Sequence, residues 1–123
     1  MADVIHHLAL AADWDAATVV GEFRISSRDR TLEDEGFIHF SGSLEQLAGV
    51  AERYYSDVTE PMVLLTVDTA RLPVPPVWEA PAPGVSELFP HLYGALPTSA
   101  VVAVTAMVRG SDGDLRPAQD PHS

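Results

Sequence analysis

One short stretch, Glu35-Gly36-Phe37-Ile38-His39-Phe40-Ser41, constrains this chain more than any other. It reads as a β-strand, and strand side chains alternate between two faces. Ile38 and Phe40 therefore point one way, and Phe37, His39 and Ser41 point the other. A polar group buried without a partner costs roughly 1–3 kcal/mol. His39 and Ser41 must either line a cleft or belong to an internal hydrogen-bond network. Because they share a face, both go to the same place.

The flanking sequence supplies the other elements. Val4 to Leu10 reads as a first strand. Asp13 can cap a short helix from Trp14 to about Val20, closed by Gly21. Glu22 to Ser27 is a short strand or an irregular stretch, and the charged segment from Ser27 to Glu35 is a surface loop or a helical turn. Ser43 and Gln46 form a capping box. Leu44, Leu47, Val50, Ala51 and Tyr54 follow at helical spacing and give one apolar face. Met62 to Asp68 is a strand rich in Val and Leu. Prolines at 73, 75, 76, 81, 83 and 90 confine the middle of the chain to short or edge strands, such as Val77-Trp78-Glu79. Ala100 to Val108 is apolar on both faces and reads as a central strand covered on both sides.

From Ser111 the chain turns polar. The expected organisation is a single domain over 1–110 and a flexible tail over 111–123 that includes His122. With 123 residues, one core is the limit. Helices come early and strands late, which favours an α+β domain over a doubly wound sheet.

Composition removes several functions. No cysteine is present, which excludes disulfides, zinc–thiolate sites and cysteine nucleophiles. The net charge is −11, with seven arginines and no lysine. Nucleic-acid binding depends on neutralising phosphates with cations, so no nucleic-acid partner is expected. Arg24, Arg28 and Arg30 nonetheless cluster in one segment and leave room for a small anionic ligand. No apolar run approaches the ~20 residues that span a bilayer. The N-terminus has no basic region followed by an apolar segment. A cytoplasmic protein with no membrane partner is expected, and the oligomeric state stays open.

The chemistry-bearing residues fall into four groups. His6-His7 ends the first strand, one histidine to each face. His39 and Ser41 share a face of the second. Glu79 lies beside Trp78, where desolvation by the indole would raise a carboxyl pKa and fit it for acid–base work. Phe89-Pro90-His91-Leu92-Tyr93-Gly94 holds a histidine between aromatics on a stiff loop, suited to stacking on a flat ring or to core packing. Nucleotide and hydrolase signatures such as G-x-G-x-x-G, the P-loop and G-x-S-x-G are missing. His7, His39, His91 and Glu79 are possible metal ligands by type, but none sit at a tight ligand spacing, and no metal is expected.

Val4-Ile5-His6-His7 with Trp14, the Glu35-to-Ser41 stretch, Val77-Trp78-Glu79 and Phe89-to-Gly94 together resemble the DUF952 family of small bacterial proteins. The resemblance runs from about residue 4 to residue 108. That family is similar in fold to the ADP-ribosyltransferase superfamily. The resemblance implies a split, mixed sheet with about two helices and a cleft that takes NAD, or a related nucleotide, as substrate without a Rossmann motif. Carried over by position, His7 is the first-strand ligand-binding residue, although His6 stands where the family more often has an aromatic. His39 and Ser41 supply the second motif, with His39 catalytic and Ser41 binding ligand. Glu79 matches the catalytic acidic position. His91 and Tyr93 are family features expected at the ligand. The implied activity is a glycosyl (ADP-ribosyl) transfer. A non-catalytic small-ligand module using the same cleft, and a histidine-based metal enzyme, are the alternatives.

Overall fold

The computed structural model describes residues 3–119. Strand β1 (Val4–Leu10) leads directly into helix α1 (Ala11–Val20), which ends at Gly21 in the left-handed conformation. Leu10, not Asp13, occupies the N-cap, without a side-chain cap bond. The helix thus starts earlier than expected, and Asp13 lies in its first turn, where the positive end of the helix dipole favours a carboxylate. Short strands β2 (Glu22–Phe23), β3 (Ile25–Ser27) and β4 (Arg30–Thr31) follow, then the single turn α2 (Leu32–Glu35). Thr31 and Asp34 cap that turn reciprocally, a box the sequence reading overlooked. Gly36, at φ 85°, reverses the chain into β5 (Ile38–His39).

Helix α3 (Leu44–Tyr54) begins where expected. Ser43 Oγ accepts from the Gln46 amide, but the Gln46 side chain reaches past Ser43 and accepts from the Gly42 amide at 2.7 Å. Strands β6 (Met62–Asp68), β7 (Val77–Glu79), β8 (Phe89–Leu92), β9 (Leu96–Pro97), β10 (Val101–Arg109) and β11 (Leu115–Pro117) complete the described chain.

The main sheet runs β1-β6-β10-β11, and a second runs β5-β8-β7. Ser41 exchanges two 2.7 Å backbone hydrogen bonds with His6, and Phe40 N–H donates to the Pro90 carbonyl. The His6–Ser41 pair joins the two sheets along the free edge of β1, and the Phe40–Pro90 bond extends the pairing of β5 with β8. Pairs β2-β9 and β3-β4 stand apart. Every described pairing is antiparallel, which corrects the expected mixed sheet, and there are three helices rather than two. The molecule is a small α+β domain of curled antiparallel sheets.

Two apolar clusters flank β1 and β6. Ile5, Phe23, Ile38, Phe40, Leu65 and Leu92 build one, and Leu8, Leu47, Val50, Leu64 and Phe89 build the other beneath α3. The alternation expected at the histidine strand holds: Ile38 and Phe40 are fully buried in the first cluster.

Two expectations fail. Strand β10 is not covered on both sides, since Val102, Val104 and Val108 are exposed. Within the main sheet helix α1 packs chiefly against β1 and β6, so the same face of β10, where Val104 lies beside Leu65, is left without that cover. Residues 115–117 are not a tail but a strand paired with Met107–Arg109, and Leu115 packs beside the α3 cluster. His122 lies outside the described residues. Among those residues no helix is long and apolar enough to cross a membrane.

Candidate functional site

Three adjacent strands carry the polar centre. In β5 and β8, His39 lies directly opposite His91. In β7 and β8, Glu79 pairs with Phe89, which places it diagonal to His91 on the same surface. The side chains form a chain. Glu79 Oε1 lies 2.9 Å from His91 Nδ1, and His91 Nε2 lies 3.2 Å from His39 Nδ1. The Tyr93 hydroxyl donates to the same Glu79 oxygen. Phe37 stacks on the His91 ring at 3.9 Å, and Phe89 lies against His39 at 4.8 Å between centroids.

The proton positions follow from the partners. Hydrogen bonds from Tyr93 and His91 hold the Glu79 carboxyl below the usual carboxylate range. Glu79 is therefore an acceptor, and His91 Nδ1–H donates to it. In the tautomer that gives its only proton, on Nδ1, to Glu79, His91 Nε2 is the acceptor for His39 Nδ1–H. That leaves His39 Nε2 unprotonated, with no hydrogen bond to any described residue. Burial, followed by the neighbouring His91 and His7, lowers the His39 pKa to about 4. The Tyr93 hydroxyl is shifted upward by the same carboxylate.

His39 and Ser41 border a cleft of about 450 Å³. Phe37 borders it too, so the whole polar face of the histidine strand turns to the cleft. Leu47, Val50 and Tyr55 supply an apolar wall from the α3 region. Ser26, Ser27, Arg28 and Arg30 come from the β3–β4 hairpin, and Glu35 from the end of α2. Ser26 Oγ accepts from the His39 amide at 3.2 Å, and Ser27 Oγ donates to Glu35 at 2.8 Å.

The expected residues thus separate into two groups. Glu79, His91 and Tyr93 do not border the cleft; they stand behind His39 and act on it. The expectation of a raised Glu79 pKa is reversed. Trp78 does not desolvate that carboxylate but lies over Gly42, where a Cβ would overlap the indole. His6 and His7 both border the cleft from β1. The His7 ring packs against Phe23 and Phe40, and its Nδ1–H donates to the His39 carbonyl at 2.7 Å. Its Nε2 is buried without a partner, and burial lowers its pKa to about 4. His7 therefore fixes the backbone that carries His39.

Sequence reasoning missed Ser26, Glu35 and Tyr55, which come from separate elements with no shared spacing. The arginine cluster was a partial signal. Arg24 is drawn off by Glu22 and Glu33, while Arg28 and Arg30 reach the cleft. No group of three His, Asp or Glu side chains placed to hold a metal ion occurs among the described residues.

A model of the family described as "Protein of unknown function (DUF952)" matches residues 8–104. The chain belongs to the DUF952 family. The crystal structure of protein CC0527 from Caulobacter crescentus is similar to this DUF952 domain, with 32% identity and a TM-score of 0.76 over 92% of this chain and 93% of that one. The solution NMR structure of CC0527 matches with a TM-score of 0.72 and 32% identity over 90% of each chain. No curated protein matches.

Proposed function

We propose that the cleft binds the ribose of an NAD-type nucleotide, and that this DUF952 protein is an ADP-ribosyltransferase-like enzyme in which His39 meets the ligand. The observation that carries this reading is the chain of contacts from Glu79 through His91 to His39 at the wall of the cleft, an arrangement that would leave His39 Nε2 unprotonated. A histidine oriented by a second group that is itself anchored by a carboxylate has the logic of an activated general base.

The chemistry would run as follows. Breaking the nicotinamide–ribose bond develops positive charge on the sugar. The acceptor hydroxyl gives its proton to His39 Nε2 as its oxygen bonds to the anomeric carbon. Nicotinamide leaves with the electrons of the broken C–N bond. His39 passes its Nδ1 proton to His91 Nε2, so the cationic charge comes to rest beside the Glu79 carboxylate instead of in the cleft. Desolvation disfavours a charged His39, and this transfer removes the difficulty. His39 is then the catalytic residue, and His91, Glu79 and Tyr93 are positioning residues. Ser41 contributes a hydroxyl to the ligand. The net charge of −11 suits a protein or small-molecule acceptor better than RNA.

The second reading, a binding module without turnover, is favoured by one observation: Glu79 does not face the cleft. The readings separate in one experiment. Millimolar NAD should raise the melting temperature and release nicotinamide over time. His39→Ala should abolish both while keeping the apo melting transition. In Glu79→Gln the thermal shift should survive and the turnover fall. Binding with no nicotinamide release in the wild type supports the module, and no thermal shift with NAD overturns both readings.

A further inference from the structure

The cleft carries a cation with no close ion-pair partner among the described residues. Every other arginine is engaged. Arg24, Arg28, Arg71 and Arg116 form ion pairs with carboxylates. Arg53 and Arg109 donate to backbone carbonyls. Arg30 makes no hydrogen bond or ion pair with any described residue, and it borders the cleft. Asp34 lies within electrostatic reach of Arg30, but no described carboxylate comes within ion-pair distance of the guanidinium at this cleft rim.

Its position is built rather than incidental. Arg30 pairs with Ser27 across a tight reversal through Arg28 and Asp29. Asp29 adopts φ 62°, a left-handed conformation that few residues other than glycine and short polar side chains accept. This turn fixes where the Arg30 side chain leaves the backbone. Ser26 and Ser27 border the same cleft, as does Glu35, whose carboxylate accepts from Ser27 Oγ at 2.8 Å. Arg28 is nearby, but Asp57 takes its Nη1 at 2.5 Å and neutralises much of its charge. A planar guanidinium suits a phosphate, whose oxygens it can take two at a time.

We propose that Arg30 is the anion subsite of this cleft and receives a phosphate of the ligand whose ribose lies against His39. The ligand class is then a phosphorylated nucleoside, not a free nucleoside or base. This inference rests on the nucleotide reading above, and its test keeps the two apart.

The experiment is calorimetric titration of the full chain with adenosine, ADP and pyrophosphate at low and moderate salt. The proteins are wild type, Arg30→Gln and Arg30→Lys. Arg30 is exposed, so neither variant disturbs the core. The wild type should bind ADP about tenfold more tightly than adenosine at low salt, the scale of a charge-assisted contact partly screened by solvent. Arg30→Gln should erase that preference and its salt dependence while leaving adenosine unchanged. Arg30→Lys should retain part of it, because the charge persists without the planar fork. Equal binding of ADP and adenosine to the wild type, or a preference that survives in Arg30→Gln, overturns the subsite. Should neither nucleoside bind, the nucleotide reading fails alone. Pyrophosphate then decides the subsite: binding to the wild type but not to Arg30→Gln sustains it, and no binding overturns it.

Discussion

His7 makes a quantitative link between core packing and acid stability. Its ring is 3% exposed, wedged against Phe23 and Phe40. Desolvation lowers its pKa from 6.5 to about 4, and the bond to the His39 carbonyl recovers only part of the loss. As pH falls, His7 in the unfolded chain takes a proton near pH 6.5, while the folded protein refuses it until about pH 4. The unfolded state binds more protons across that window, so stability falls as pH falls through it and levels off below. At about 1.4 kcal/mol per pKa unit, the depression corresponds to roughly 3 kcal/mol. His39, whose pKa is also lowered to about 4, adds to the same trend. The perturbation is His7→Asn, which keeps an amide donor near the position of Nδ1 and removes the titration. Urea unfolding of both proteins at intervals from pH 7 to pH 4 gives the two profiles. The wild type should lose about 3 kcal/mol more than the variant over this range. Parallel profiles would refute the reasoning, since they would mean that the His7 ring carries no desolvation penalty.

Two further outcomes follow from packing. Gly42→Ala should cost about 1 kcal/mol by thermal unfolding, at the low end for overpacking, because the added methyl meets the outer edge of a half-exposed Trp78 ring; the same substitution in a Trp78→Ala background should cost clearly less. Ser43→Ala should cost about 1 kcal/mol by loss of the bond from the Gln46 amide, with the α3 signal in hydrogen exchange weakening first at its N-terminal turn.

Much of the scaffold was legible because its signals are periodic. Strand β1, strand β6 and helix α3 stand where alternation and helical spacing put them, and Ile38 and Phe40 face the core as the strand period requires. Strand β10 misled because an apolar pattern states what a residue tolerates, not what lies above it; Val102 and Val104 meet solvent instead of a covering element. Strand β11 was hidden because only Leu115 gives it an apolar anchor, in a segment otherwise polar. Within the site, His39 with Ser41 was readable from the strand face alone. The roles of Glu79, His91 and Tyr93 were not, because they depend on which strands are neighbours. His91 and Tyr93 do share a face two residues apart, but nothing local indicates that both bind Glu79 behind the cleft instead of facing into it.

The protonation pattern along Glu79, His91 and His39 decides whether His39 is ready for a ligand. Long-range proton–nitrogen correlation spectra of the histidine rings test it directly at neutral pH. His39 should carry its proton on Nδ1 with Nε2 bare, and Glu79→Gln should disturb the pattern at both rings. A His39 protonated on Nε2, or a pattern unchanged by Glu79→Gln, would contradict it.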